Sequence, residues 1–351
     1  MVTARVYRNG VKALTSWGRS PRSGRKTVGY HGDVSKRVLL AWPRGYCAGV
    51  DRAVDTVERA LRIYGPPVYV RKQIVHNIHV VRDLERKGAI FVEEETEVPE
   101  GATVVLSAHG VAPEVYSNSE SRRLNVIDAT CPLVTKVHAE ARRFARKDNT
   151  ILLIGHEGHE EVVGTSGEAP EHIRLIGSAE EAAEVDVPDP ERVAYLSQTT
   201  LSVDETNEVI EALRKRFPDI LAPPTDDICY ATQNRQEAVK EVARRSDVVL
   251  VIGSHNSSNS NRLVEVSRSA GASAHLIDDE SEIDPRWFED ADTIGLTSGA
   301  SAPEWLVERV VEHLKGLGAT EVEEVRVTEE SMHFNLPAGV RPKDEARQAA
   351  R

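Results

Sequence analysis

Cys47-Ala48-Gly49-Val50-Asp51-Arg52-Ala53-Val54-Asp55-Thr56-Val57-Glu58-Arg59-Ala60-Leu61-Arg62-Ile63-Tyr64-Gly65-Pro66-Pro67-Val68-Tyr69-Val70 runs from a thiol through a helix-period segment and a stop to an apolar strand. Val50, Val54, Val57, Leu61 and Tyr64 recur at spacings of three and four, which predicts one apolar helix face. Gly65-Pro66-Pro67 ends it. The order recurs after each of the other two cysteines. Cys131 precedes the stripe Val134, Val137, Ala141 and Phe144, and Cys229 precedes Ala231, Ala238, Val239 and Val242, with more polar early turns. From thiol to strand the intervals are 21 residues (Cys47 to Val68), 20 (Cys131 to Ile151) and 19 (Cys229 to Val248). A threefold repeat with one thiol per unit follows, and helices alternating with buried β-branched strands predict small, mainly parallel sheets in three α/β units.

Open parallel sheets bind ligands in the loops at the carboxyl ends of their strands, and all of these loops are polar. They read Val75-His76-Asn77, Gly155-His156-Glu157-Gly158-His159-Glu160-Glu161 and Gly253-Ser254-His255-Asn256-Ser257-Ser258-Asn259-Ser260. A further strand in each unit leads to Ala108-His109-Gly110, to Ser197-Gln198-Thr199-Thr200 and to Ser298-Gly299-Ala300-Ser301. Pseudo-threefold symmetry would aim them, with the thiols, at one axis.

The predicted organisation is a basic, disordered extension over 1–37, α/β units over 38–130, 131–228 and 229–313, a segment over 314–337 packing back on the core, and a disordered tail over 338–351. The extension holds nine Lys or Arg against one Asp, so its +8 leaves −20 on the other 314 residues of a chain of net charge −12. Such an acidic body is a poor nucleic-acid binder. With no apolar run near the ~18 residues that span a bilayer, the chain is expected to be soluble and cytoplasmic. The extension lacks the apolar core of a secretory signal; its Arg and Ser content has a transit peptide as its other reading.

An odd, small number of thiols often means unpaired buried residues. One thiol at the same place in three repeats is different, because packing does not require convergence and soft metals exploit it. A structural zinc would need a fourth ligand, such as His. A cubane 4Fe-4S cluster would keep one open iron, able to act as Lewis acid and electron donor. His156-Glu157-Gly158-His159 fails the zinc-peptidase spacing.

Seven stretches together carry a resemblance: Pro43-Arg44-Gly45-Tyr46-Cys47-Ala48-Gly49-Val50-Asp51-Arg52-Ala53, Ser107-Ala108-His109-Gly110-Val111, Asp128-Ala129-Thr130-Cys131-Pro132-Leu133-Val134, Ser197-Gln198-Thr199-Thr200, Asp227-Ile228-Cys229-Tyr230-Ala231-Thr232, Asn256-Ser257-Ser258-Asn259-Ser260-Asn261-Arg262 and Ser298-Gly299-Ala300-Ser301-Ala302-Pro303. In this order they resemble the 4-hydroxy-3-methylbut-2-enyl diphosphate reductase family (IspH/LytB), from about Val38 to Pro337. The resemblance implies reduction of an allylic alcohol diphosphate by two electrons and two protons to isopentenyl and dimethylallyl diphosphate, the last step of the non-mevalonate isoprenoid pathway. It also implies a cloverleaf of three α/β units around one 4Fe-4S cluster held by Cys47, Cys131 and Cys229, with the substrate hydroxyl on the open iron.

By the same resemblance His76, His109, His159, Ser257, Ser258, Asn259 and Ser301 hold the diphosphate. Histidine suits that task, since a neighbouring polyanion would raise its pKa and favour the charged donor. Glu161 is implied as the proton donor and Thr199 as the hydroxyl-holding relay, with Gln198 and Thr200 in support. His79, His138 and His255 have no such role. Many relatives carry Pro where Glu160 stands, which puts a second carboxylate beside Glu161. No nicotinamide fingerprint follows a strand, so an external one-electron donor such as ferredoxin or flavodoxin is implied. Arg142, Arg143, Arg146 and Lys147, or Arg214, Lys215 and Arg216, would offer it a basic face. An iron-sulfur sensor and a thiolate-zinc hydrolase are the alternatives from other classes.

Overall fold

The computed structural model describes residues 36–341; expectations for 1–35 and 342–351 lie outside them. The chain runs β1 (Lys36–Trp42), α1 (Ala48–Tyr64), β2 (Val68–Arg71), α2 (Ile78–Arg86), β3 (Ala89–Val92), β4 (Thr103–Leu106), α3 (Pro113–Ser121) and β5 (Asn125–Asp128). It continues with α4 (Pro132–Ala145), β6 (Thr150–Ile154), α5 (Glu160–Gly167), β7 (Ile173–Ile176), α6 (Ala179–Glu184), β8 (Val193–Ser197) and α7 (Val203–Arg216). It closes with α8 (Tyr230–Ala243), β9 (Val248–Ile252), α9 (Ser258–Ser269), β10 (Ser273–Ile277), β11 (Thr293–Ser298), α10 (Glu304–Gly316) and β12 (Ala319–Arg326). Among the described residues no helix is long and apolar enough to cross a membrane.

The strands form three sheets, ordered β3-β2-β4-β5, β7-β6-β8 and β10-β9-β11-β1-β12, and every pairing is parallel. The α/β expectation with small parallel sheets therefore holds. In each sheet the chain leaves one central strand toward one edge and returns on its other side, so strand order reverses between β2 and β4, between β6 and β8, and between β9 and β11. Ligand crevices form at such reversals.

The helices pack as their stripes predict. Val57 and Ala60 of α1 are fully buried against Val68 and Val70; Ala141 and Phe144 of α4 meet Ile151 and Leu153; Val239 of α8 meets Val249 and Val251. Gly65 ends α1 with φ 76°, a left-handed backbone that only glycine takes without strain. Tyr64 departs from its stripe: its ring is exposed, and its hydroxyl donates to the Gly339 carbonyl at 2.9 Å.

Two boundaries need correction. The first unit was expected to open at residue 38, yet β1, starting at Lys36, pairs with β11 and β12 in the third sheet, where Val38 and Ala41 are fully buried. The reason is ring closure. β1 leaves the third sheet through Cys47 into α1 on the first sheet, and β5 leaves the first sheet through Cys131 into α4 on the second. The segment bridged to β8 at Leu221 leads through Cys229 into α8 on the third. Each cysteine thus marks a junction between sheets. The tail expected to be loose from 338 begins in order, since Ala338–Val340 form a 3-10 turn with Val340 only 1% exposed in the first core.

Candidate active site

Each thiol occupies the N-cap position of the helix it opens: Cys47 for α1, Cys131 for α4 and Cys229 for α8. Their backbone N-H groups donate equivalently to the loops after the neighbouring strands, Cys47 to Ala300 O (3.2 Å), Cys131 to Ala108 O (3.0 Å) and Cys229 to Thr199 O (3.1 Å). The three junctions therefore share one geometry. They face one cavity of about 690 Å³, lined by Cys47, Cys131, Cys229, His76, His109, His159, Glu161, Thr199, Ser257, Ser258, Asn259 and Ser301. All twelve site residues expected from the sequence come together there.

Burial, and then the neighbouring Cys47, push the Cys131 thiol up to about 12; the same causes push Cys229 up to about 11. Buried together, these sulfurs keep their protons unless another cation replaces them, and a soft metal does so while the helix N-termini favour the resulting thiolates. Gly49 supplies a test of fit. A methyl at its Cα would stand 2.8 Å from the Cys131 sulfur and 3.8 Å from the Cys47 sulfur, so glycine keeps a cradle open between two thiols. This donor set, with no fourth cysteine in the chain, fits a thiolate-held cluster with an incomplete ligand set. Thr232 adds a contact that sequence reading missed, its N-H donating to the Cys229 sulfur at 3.4 Å with its hydroxyl at 3.2 Å.

Glu161, 2% exposed, accepts the Thr199 backbone N-H at 2.6 Å and its hydroxyl at 2.9 Å. Burial raises its carboxyl to about 7, although both Thr199 bonds pull the other way. A carboxyl poised near neutrality can hold and release a proton at working pH.

Three imidazoles cluster in one part of the cavity. His76 and His109 stack with ring centroids 4.1 Å apart and 19° between planes, and His159 meets both edge-on at 5.5 and 5.9 Å. Donor atoms of His76, His109 and Glu160 lie within 4.8 Å of one another, but near-parallel rings cannot aim in-plane lone pairs at one ion. Without an anion beside them the histidines are poor cations: burial first, then in two cases neighbouring imidazoles, lowers His76 and His159 to about 3, and burial lowers His109 to about 4.

Hydroxyl and amide donors line the same cavity. Ser257 Oγ accepts from Ser260 N and Oγ at 3.3 and 3.0 Å, which leaves its own proton to give. Asn259 accepts the Ala300 N-H at 2.8 Å, while its buried Nδ2 has no partner. Buried donors are rarely left unpaired, and this one fits an anionic ligand. Ser301 donates to His76 O at 2.8 Å. Gln198 and Thr200 both donate to Ser258 Oγ, at 3.3 and 3.1 Å.

Other polar residues stay apart. His79 pairs with Asp279 at 3.1 Å and His138 with Glu168 at 2.8 Å, while His255 is exposed. Of the basic runs, Arg142 is engaged by Glu168, Arg143 by Glu140 and Arg216 by Asp186.

These features define a class: an α/β protein of three small parallel sheets whose junction thiols share one cavity with a buried acid and an imidazole cluster. The LytB protein family matches residues 38–315. A reductase of 4-hydroxy-3-methylbut-2-enyl diphosphate from Acidothermus cellulolyticus is 64% identical over 313 residues, 89% of this chain and 92% of its own; one from Mycolicibacterium paratuberculosis is 62% identical over 87% of this chain and 92% of its own. The solved E-1-hydroxy-2-methyl-but-2-enyl-4-diphosphate reductase of Plasmodium falciparum superposes with a TM-score of 0.85 at 35% identity, covering 90% of this chain and all of that one. The chain belongs to the LytB family.

Proposed function

We propose that the protein reduces 4-hydroxy-3-methylbut-2-enyl diphosphate to isopentenyl and dimethylallyl diphosphate, the last step of the non-mevalonate isoprenoid pathway, in the cytoplasm. The observation that carries this reading is the shared cavity, lined together by three thiols, the Glu161–Thr199 pair and a set of hydrogen-bond donors. Cys47, Cys131 and Cys229 hold an iron-sulfur cluster, a 4Fe-4S cubane with one open iron, which when bound supplies electrons singly and an electron-poor metal face.

His76, His109, His159, Ser257, Ser258, Asn259 and Ser301 bind the diphosphate and thereby fix the allylic alcohol beside the thiols. The hydroxyl and amide donors add no net charge to an acidic protein. Thr199 orients the substrate hydroxyl, and Glu161 gives it a proton through the Thr199 hydroxyl or directly, so that it departs as water. Glu161 and Thr199 are both buried, which shields that transfer from bulk solvent. The balance is two electrons and two protons consumed: the C–O bond breaks with one proton leaving in the released water, and the second proton forms the new C–H bond on the allylic skeleton, with the electrons brought by an external carrier such as ferredoxin or flavodoxin.

Anaerobic turnover of the diphosphate substrate by cluster-reconstituted protein with a chemical one-electron reductant tests this. Both five-carbon diphosphates are expected. A fully loaded protein without turnover would favour an iron-sulfur sensor, and uptake of zinc alone a thiolate-zinc hydrolase.

A further inference from the structure

Glu160 places a carboxylate against His109, which lines the cavity where an anion is to bind, and on sign alone it should weaken that binding. Its contacts give it another meaning. The groups facing it are Arg71 and Lys72 at the end of β2, His76 in the loop beyond, and His109 and His159. The two strong bases are already engaged, Arg71 by Glu94 and Glu95 at 2.5 and 2.9 Å and Lys72 by Glu93 at 2.6 Å. What remains is His109, whose Nδ1 lies 3.1 Å from Glu160 Oε2.

The ring nitrogens then separate two histidines. His159 accepts the Glu161 backbone N-H on Nδ1 at 3.2 Å, so its neutral ring carries the proton on Nε2 and already offers a donor. Burial raises the Glu160 carboxyl; with Glu160 ionised the carboxylate can only accept, so His109 gives it Nδ1-H and its neutral ring has a bare Nε2 that would repel a phosphate oxygen. Its Nε2 becomes a donor only as an imidazolium, a charge that burial opposes.

We infer that Glu160 is a positioning residue that fixes the His109 tautomer and supplies the counter-charge with which His109 takes a proton from solvent onto Nε2 as a diphosphate binds. The inference rests on the diphosphate reading of this cavity. The anion then meets a cationic donor whose charge is drawn in with it, while the free site stays neutral there.

Calorimetric titration of inorganic diphosphate into the cluster-loaded protein, at one pH in two buffers of different ionisation heat, counts the protons taken up. The parent should take up protons and bind less tightly as pH rises. Glu160→Gln keeps an acceptor oxygen for Nδ1-H but removes the charge; uptake should fall by about one proton and the pH dependence should flatten, with Glu160→Asp restoring part of both. His109→Ala should lower uptake equally, and Glu160→Gln added to it should lower it no further. Unchanged uptake in Glu160→Gln, or a further fall in the double variant, overturns the inference alone. Failure of the parent to bind diphosphate overturns the anion-site reading and this inference together.

Discussion

Glu161 shows how a single side chain acquires chemistry from its surroundings. Its acid form is the donor, so turnover should hold below about pH 7 and decline as pH rises through that value. Glu161→Gln should keep the cluster and bind substrate while turnover falls by about 100-fold, within the range for lost general acid catalysis. Near-normal product formation would move the donor elsewhere. The stability of the parent falls in the same direction of pH. The folded state holds this proton more tightly than the unfolded chain, whose carboxyl keeps its ordinary value of 4.5, so the cost to folding accumulates from about pH 4.5 to 7 and is complete above it. Urea denaturation should therefore show Glu161→Gln gaining on the parent at pH 8 and not at pH 4. Gly49→Ala should lower iron content while circular dichroism stays unchanged, because the added methyl meets the Cys131 sulfur at 2.8 Å; full iron retention would show that the cradle gives way.

At the scale of elements, α8 differs from the other thiol-bearing helices because its early turns carry buried polar side chains. Arg235 is fully buried and donates to Gly45 O at 2.8 Å, to Ala231 O at 2.9 Å and to Glu330 at 3.0 Å. It ties the Cys229 helix to the loop before Cys47 and to the chain after β12. Gln236 donates to Leu201 O and accepts from Val203 N, at 2.8 and 3.0 Å. Arg235→Ala leaves Gly45 O and Glu330 without these bonds and should cost about 3 kcal/mol, the low end for breaking a buried ion pair. Chemical denaturation measures it; a loss below about 1 kcal/mol would show the guanidinium to be dispensable.

On the whole-molecule scale the three thiols are the places where the chain changes sheet, so a group bound to all of them ties three packed bodies at one point. Removal of iron by a chelator should lower the melting temperature and speed hydrogen exchange in the first turns of α1, α4 and α8, while β1, β6 and β9 stay protected. Uniform exchange change across all sheets would mean that the cores themselves depend on the metal.

The helix stripes, the stops, the parallel strands and the polar loops at their ends are local patterns of period and composition, which is why the sequence by itself determined the α/β class, the three repeats and the polar loops that face the thiols, while the individual cavity residues were implied by the family resemblance of their motifs. Tyr64 shows the limit of periodicity, since its position on the stripe did not decide whether the ring would find a core. Sheet membership was beyond such reading: β1 looks like the opening strand of the first unit, and only pairing with β11 and β12, a contact across some 250 residues, decides that it closes the ring. Polar partners were equally invisible. The lone acceptor that fixes the His109 proton, the buried donor left over on Asn259 and the proton affinity of Glu161 depend on burial and on neighbours from other sheets, and those exist only once the tertiary structure has brought the strand ends together.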